Sequence, residues 1–344
     1  STDEITELVS VTSPYDGIYA THMRNYSASI MEALDESIKI GQRALVPVHV
    51  SHITPCPPKT GIASHLLDRI NEARGEGMDV TADTEFYSTG STTMKALLPP
   101  DVLVGGNDQM IEALSQPELR KRMWREIEAR GSELGGSTKT VLMQKEQWDK
   151  LWLGNCANNT KLIGKSFAEI GKIRGVHPFE AMCDILVEEQ GVASFFGEDK
   201  TYEDIDTLAK GQHCGLGSDG FALANDGPLA DEREHPRCYG GIANLIRTMV
   251  YDRGVLSLEK LVQRITEFPA KRMRFSDRGI IAEGRIADVV VFDPQQLSDN
   301  ATIDYPNRYS EGVIWLFVNG TAVVAEGELT GELPGRVLKR NVSQ

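Results

Sequence analysis

Short apolar runs alternate with helical stretches over the first 220 residues, and this rhythm constrains the fold more than any other feature of the chain. Strands separated by helices pair in parallel, because the chain must cross back over the sheet before the next strand begins. Gly17-Ile-Tyr-Ala-Thr-His-Met23 reads as the first such strand. Ile30, Leu34 and Ile38 then recur at helical spacing, with Gly41 near the helix end. Leu45-Val-Pro-Val-His-Val-Ser-His52 is the next strand, and a helix follows over 64–75 with Leu66, Leu67 and Ile70 on its apolar side. Asp79-Val-Thr-Ala-Asp83 is the third strand.

The rhythm breaks from about Ala96 to Gln190. A charged helical stretch (118–130), a short apolar segment near Val141 and a helix over 166–174 form an excursion that no simple strand–helix unit explains. Strand character returns at Gly191-Val-Ala-Ser-Phe-Phe196 and at Cys214-Gly-Leu-Gly-Ser-Asp219. Beyond Phe275 the chain becomes β-rich, in Asp288-Val-Val-Val-Phe-Asp293, Gly312-Val-Ile-Trp-Leu-Phe-Val-Asn-Gly320 and Val323-Val-Ala-Glu-Gly327. Asn319-Gly320 is a strong hairpin turn. A domain boundary is expected near 276–285.

With 344 residues, 40% of them hydrophobic, the chain has ample material for a core and for about two domains. Lys and Arg number 36 against 50 Asp and Glu, a net charge of −14 that argues against a nucleic-acid or anionic-membrane surface. No apolar run approaches the ~18 residues of a membrane span. Five scattered cysteines without a C-x-x-C pair indicate neither a disulfide framework nor a zinc knuckle, so a reducing, cytoplasmic setting is expected. The chain opens on Ser1 without a signal-like stretch, and no targeting is assigned.

Three polar groups fall at the C-terminal ends of expected parallel strands: His22, His52 and Asp219. In α/β barrels that rim gathers the catalytic groups, because the βα loops there form the open face. By strand alternation Ile18, Ala20 and His22 share one face, and so do Val48, Val50 and His52. His49 and His52, three apart, are expected on opposite sides. Imidazole suits zinc, and a catalytic zinc takes about three protein ligands and one open position. A histidine on a strand is more often a satisfied core or loop residue, so spacing alone leaves both readings open.

The motifs in order are more specific. Gly17-Ile-Tyr-Ala-Thr-His-Met-Arg24, Val46-Pro-Val-His-Val-Ser-His52, Asp79-Val-Thr-Ala-Asp83 with Gly90-Ser-Thr92, and Gly217-Ser-Asp-Gly220 followed by His235-Pro-Arg237 resemble the ordered signature of the N-acyl-D-amino-acid deacylases. These D-aminoacylases belong to the amidohydrolase superfamily. The tail is similar too, in Asp277-Arg-Gly279, Gly284-Arg-Ile-Ala-Asp-Val-Val-Val-Phe-Asp-Pro294, Val318-Asn-Gly320 and Thr330-Gly331 with Pro334-Gly-Arg336. The resemblance implies strands five to eight of a metal-dependent (β/α)8 barrel over 1–280, with an insertion at about 96–190. It implies a small β-sandwich domain over 281–344. It makes His22 and His52 zinc ligands, Asp219 the general acid/base, and Arg237 and Ser91 the binders of the substrate carboxylate. One or two zinc ions are implied, with the remaining ligands supplied by the N-terminal half of the barrel.

Two positions depart from the family pattern. Thr54 stands where the family usually has a Lys, and Glu85 where it usually has a Tyr; both positions help bind the carboxylate in relatives. The exchange removes attraction for an anion and adds repulsion. The substrate is therefore expected to lack a free α-carboxylate there, or to carry a cationic group facing Glu85. The family's His-x-His pair and Cys ligand have no counterpart here, and Cys56, in a Pro-rich loop near His52, is not in the matching motif. Half a barrel leaves open sheet edges, so a companion polypeptide carrying the other half is expected.

The function implied is zinc-dependent hydrolysis of a linear amide in a small molecule, as in N-acyl-D-amino acids or a derivative. A cyclic-amide or carbamoyl hydrolase of the same superfamily would share the metal site and differ in the pocket. A non-catalytic subunit of a two-chain assembly is the third reading.

Overall fold

Parallel pairing is present in a four-stranded sheet of the computed structural model, which describes residues 1–131, 133–134, 138–230 and 233–339. Helix α1 (Thr2–Ser10) starts under a Ser1/Glu4 capping box and packs on α2. Strand β1 (Tyr19–Thr21), helix α2 (Ile30–Ala44), strand β2 (Val48–Val50), helix α3 (Ala63–Gly75) and strand β3 (Val80–Thr84) then follow as two βα units and a third strand. Val48, Val50, Val80 and Ala82 are fully buried against Ile30 and Leu34 of α2 and Leu66 and Ile70 of α3. On the opposite face the alternate residue His49 hydrogen-bonds both Thr81 and Asp83. That face is polar.

The chain then leaves the sheet. Strand β4 (Thr89–Thr93) opens a second unit with helices α4 (Gly106–Leu114), α5 (Pro117–Arg130) and α6 (Thr140–Gln144), strand β5 (Leu151–Cys156), helices α7 (Phe167–Arg174) and α8 (Pro178–Glu188), and strand β6 (Ala193–Glu198). Its three strands run antiparallel in the order β4-β6-β5, with Ser91 opposite Phe196. The strand expected at 191–196 therefore belongs to this sheet and not to the parallel one. A separate core, including Met94, Met123, Ile127, Trp148, Phe167, Phe179 and Phe195, lies under it. Helix α9 (Tyr202–Lys210) leads back to β7 (Cys214–Leu216), which pairs in parallel with β3, Thr84 opposite Leu216. The sheet order is β1-β2-β3-β7, so β1 and β7 are its edges.

Helices α10 (Gly241–Ile246), α11 (Leu258–Ile265) and α12 (Glu267–Arg272) precede an antiparallel sheet of β8 (Val289–Phe292), β9 (Val313–Val318), β10 (Thr321–Ala325) and β11 (Glu328–Leu329). Asn319 (φ 50°) and Gly320 (φ 79°) make the tight turn between β9 and β10, the left-handed pair that a type I′ turn demands. No residue of these four strands is fully buried. Val290 and Val291 are 49% and 45% exposed, so this sheet is a single layer among the described residues. Among those residues no helix is long and apolar enough to cross a membrane.

Candidate active site

Each of the three expected rim residues lies just beyond a parallel strand. His22 follows β1 directly, His52 stands two residues beyond β2, and Asp219 three beyond β7. His52 (φ 37°) and Asp219 (φ 53°) both adopt the left-handed backbone conformation. Such conformations cost energy in a non-glycine residue and persist where the surroundings impose them. The strand alternation that put His52 on the face of Val48 and Val50 thus ends before it reaches His52. Val48 and Val50 point into the helical layer, while His52 turns to the rim. The His49 side chain and the His52 backbone N–H share one carboxylate, and of the two imidazoles only that of His52 lines the cleft. Asp83 Oδ2 takes His49 Nε2 at 2.8 Å, and Oδ1 accepts the His52 backbone N–H at 2.7 Å.

The two rim imidazoles converge. His22 Nδ1 lies 2.9 Å from His52 Nε2, and the ring centroids are 4.6 Å apart. Tyr26 ties the two loops together: its hydroxyl accepts the Met23 N–H at 2.6 Å and donates to the Ser51 carbonyl at 3.1 Å. Burial lowers the His22 pKa and the neighbouring His52 lowers it further, which favours the neutral ring that a metal requires. Two facing imidazole nitrogens suit zinc, yet they are fewer than the three protein ligands a catalytic zinc takes. Among the described residues no group of three or more His, Cys, Asp or Glu side chains is gathered for a metal. Cys56 is buried, and its thiol donates to the Thr54 carbonyl.

Asp219 joins a chain of charges. Its Oδ2 is 2.8 Å from Arg237 Nη2, and the other guanidinium nitrogen, Nη1, bonds Glu85. Glu85 is 6% exposed, and its second oxygen lies 2.9 Å from Lys200 Nζ. Lys200 Nζ also lies 3.7 Å from Asp199 Oδ1, and Asp199 Oδ2 takes Lys139 Nζ at 3.1 Å. Burial alone would raise the Glu85 carboxyl, but Lys200 and then Arg237 overcome it and hold it near 2. The expectation of a lone carboxylate repelling an anion meets a Glu85 already engaged by two cations. Ser91, on β4, and Thr54 line the same cleft, which has a volume of about 1360 Å³ and a far wall of Thr92, Lys95, Asn155 and Lys161. Thr54 is 1% exposed, and its hydroxyl pairs with that of Thr84 at 2.7 Å.

His235 holds Arg237 in place. The Arg237 N–H donates to His235 Nδ1 at 3.1 Å, so the ring proton sits on Nε2 and donates to Thr89 Oγ1 at 2.8 Å. Burial, with Arg237 adding to it, holds this histidine down at about 3, against 6.5 for a free one. The unfolded chain therefore takes up this proton first as pH falls. Stability is expected to drop between pH 6.5 and 3 at up to about 1.4 kcal/mol per pH unit from this residue alone. Urea midpoints of the parent and of His235→Asn, whose amide oxygen can still accept the Arg237 N–H, should converge toward acid pH. A constant gap between them across this window would show that His235 is not the group responsible.

A parallel βα sheet with imidazoles and a carboxylate gathered beyond its strand ends is consistent with the active rim of an α/β barrel. Residues 168–325 match the model of the amidohydrolase family. The chain is 29% identical to the D-aminoacylase of Alcaligenes xylosoxydans xylosoxydans, over all of its own length and 59% of that protein. It is 26% identical to the N-acyl-D-glutamate deacylase of the same organism, over 99% of this chain and 58% of that one. A solved D-aminoacylase, described with a binuclear metal centre, superposes with a TM-score of 0.75 at 26% identity, covering 99% of this chain and 60% of its own. The chain is thus similar to the amidohydrolase superfamily and, within it, to the D-aminoacylase group. It spans about three-fifths of the length of these relatives.

Proposed function

We propose that this chain carries one side of the active site of a zinc-dependent hydrolase that cleaves the linear amide of an N-acyl-D-amino acid or a close derivative. The observation that carries the reading is the convergence of His22 Nδ1 and His52 Nε2 at the rim that also bears Asp219. When bound, zinc supplies Lewis acidity at the scissile carbonyl and lowers the pKa of a water. His22 and His52 would hold it from this side. Asp219 accepts the proton of the attacking water and delivers it to the leaving nitrogen. Arg237 and Ser91 orient the substrate through its carboxylate, for which an Arg fork is suited.

The remaining ligands and the other barrel wall come, on this reading, from a companion polypeptide. The free edges of β1 and β7 and the uncovered sheet β8–β11 support it, since both invite further strands. The half-barrel over 1–280 and the β unit over 281–344 are then parts of domains completed in the assembly. Five free cysteines suit a reducing, cytoplasmic setting.

The zinc-loaded complete protein should release the acyl group from N-acetyl-D-amino acids and leave the L-enantiomers intact. Hydantoin turnover without deacylation would instead assign the cyclic-amide reading. Native mass spectrometry tests the companion: a second polypeptide is expected, and a single longer chain would remove it.

A further inference from the structure

The sheet β4-β6-β5 turns one face to the reacting wall. Phe196 and Ser194, alternate residues of its central strand, lie on that face, and the Phe196 ring centroid is 5.6 Å from that of His235. Phe195 points the other way, into the core of the second unit. Val192, the residue before β6, continues the alternation of Phe196 and Ser194 and is 70% exposed in the cleft. Ser91 stands opposite Phe196, which places Val192 four residues further along the strand, about 13 Å from the Ser91 row. At that end β5 finishes with Cys156 opposite Ala193, and Ala157 leaves the sheet beside Val192. Ala157, Ile163 and Val192 bring apolar side chains to a wall that is polar at Thr92, Lys95, Asn155 and Lys161.

The loop that carries Ala157 is fixed from behind. Glu189, just after α8, is 4% exposed and does not line the cleft. Its oxygens accept the backbone N–H groups of Ala157, Asn158 and Asn159 at 2.9, 2.9 and 2.8 Å. They also accept the side-chain amides of Asn158 and Asn159 at 3.3 and 2.7 Å. Burial would raise the Glu189 carboxyl, but these donors hold it below the usual carboxylate range. One carboxylate thus orders three consecutive residues of a wall, and a wall ordered in advance loses less freedom when a ligand binds. We propose that the end of the cleft at Ala157, Ile163 and Val192 is a subsite for the tail of an aliphatic acyl group, and that Glu189 is the positioning residue that holds its loop. The proposal rests on the hydrolase reading for the nature of the ligand. With the substrate carboxylate at Ser91 and Arg237, an acetyl group stops short of Val192, whereas an acyl chain of about eight carbons spans the distance.

The test uses two sulfonamides that have no amide to cleave, N-octanesulfonyl-D-alanine and N-methanesulfonyl-D-alanine, with affinities measured by calorimetry on the zinc-loaded complete protein. The long compound should bind at least ~10-fold more tightly, because its additional methylenes leave water. Val192→Glu should lower that preference by about 10-fold, since a carboxylate at the end of the subsite keeps its water, and Val192→Leu should retain it. Glu189→Gln sets an amide N–H against the backbone donors of the loop and should lower the preference by at least ~3-fold. Thermal unfolding confirms that the variants remain folded. Equal binding of the two compounds by the parent, or an unchanged preference in Val192→Glu, would overturn the subsite. An unchanged preference in Glu189→Gln would remove Glu189 from the positioning role. If the complete protein hydrolyses neither N-acetyl- nor N-octanoyl-D-alanine, the hydrolase reading falls, and the binding comparison still decides the subsite.

Discussion

Replacing Asp219 by Asn should leave the zinc content of the complete protein unchanged and lower kcat by ~10²–10⁴-fold, the usual cost of losing a general base. The substitution is chosen for its backbone. Asp219 has a φ of 53°, a conformation that Asn tolerates as well as Asp does. The amide oxygen can still accept from Arg237 Nη2, 2.8 Å away in the parent, so the contact behind the residue survives. What is lost is the capacity to take a proton. Metal analysis and steady-state kinetics on the same preparation decide the matter, and a variant within a few-fold of the parent would take Asp219 out of the proton-transfer role.

The second large effect is on the metal itself. His22→Asn and His52→Asn should each weaken zinc binding by at least ~100-fold, because a ligand is worth more than the outer partners whose loss already costs 10–100-fold. Activity should fall in parallel and return in part at high zinc concentration. Asn is again the better probe at position 52, since Ala would add backbone strain at a φ of 37° to the loss of the ligand. Full metal occupancy in both variants at low zinc would show that neither imidazole ligates.

The strands and helices near the rim were legible because their apolar residues recur at periods of two and 3.6, as Val48 and Val50 or Ile30 and Leu34 do. Asn319-Gly320 announced its turn because few other pairs accept two positive φ angles in succession. The side on which His52 faces was not legible. Its left-handed conformation interrupts the alternation, and a hydrogen bond from its backbone N–H to Asp83, 31 residues away, holds it there. The antiparallel unit was read only as an excursion, because β4, Thr89-Gly-Ser-Thr-Thr93, is polar and carries no strand pattern. The partners of Glu85 were not legible for a related reason. Its neighbours in sequence say nothing of Arg237, 152 residues on, or of Lys200, and charge pairing across such distances leaves no periodic trace.

The cleft is walled by two bodies with separate cores, one under the parallel sheet and one under β4-β6-β5. Substitutions in contact with neither a shared partner nor a shared core act nearly independently. Mutations that reshape the second wall, around Thr92, Lys95, Asn155 and Lys161, can therefore accumulate without disturbing His22, His52 or Asp219. On the proposed function, evolution acting on such an arrangement is free to try new acyl or amine groups while the rim residues are inherited intact, and lineages that share one chemistry can part company through this wall alone.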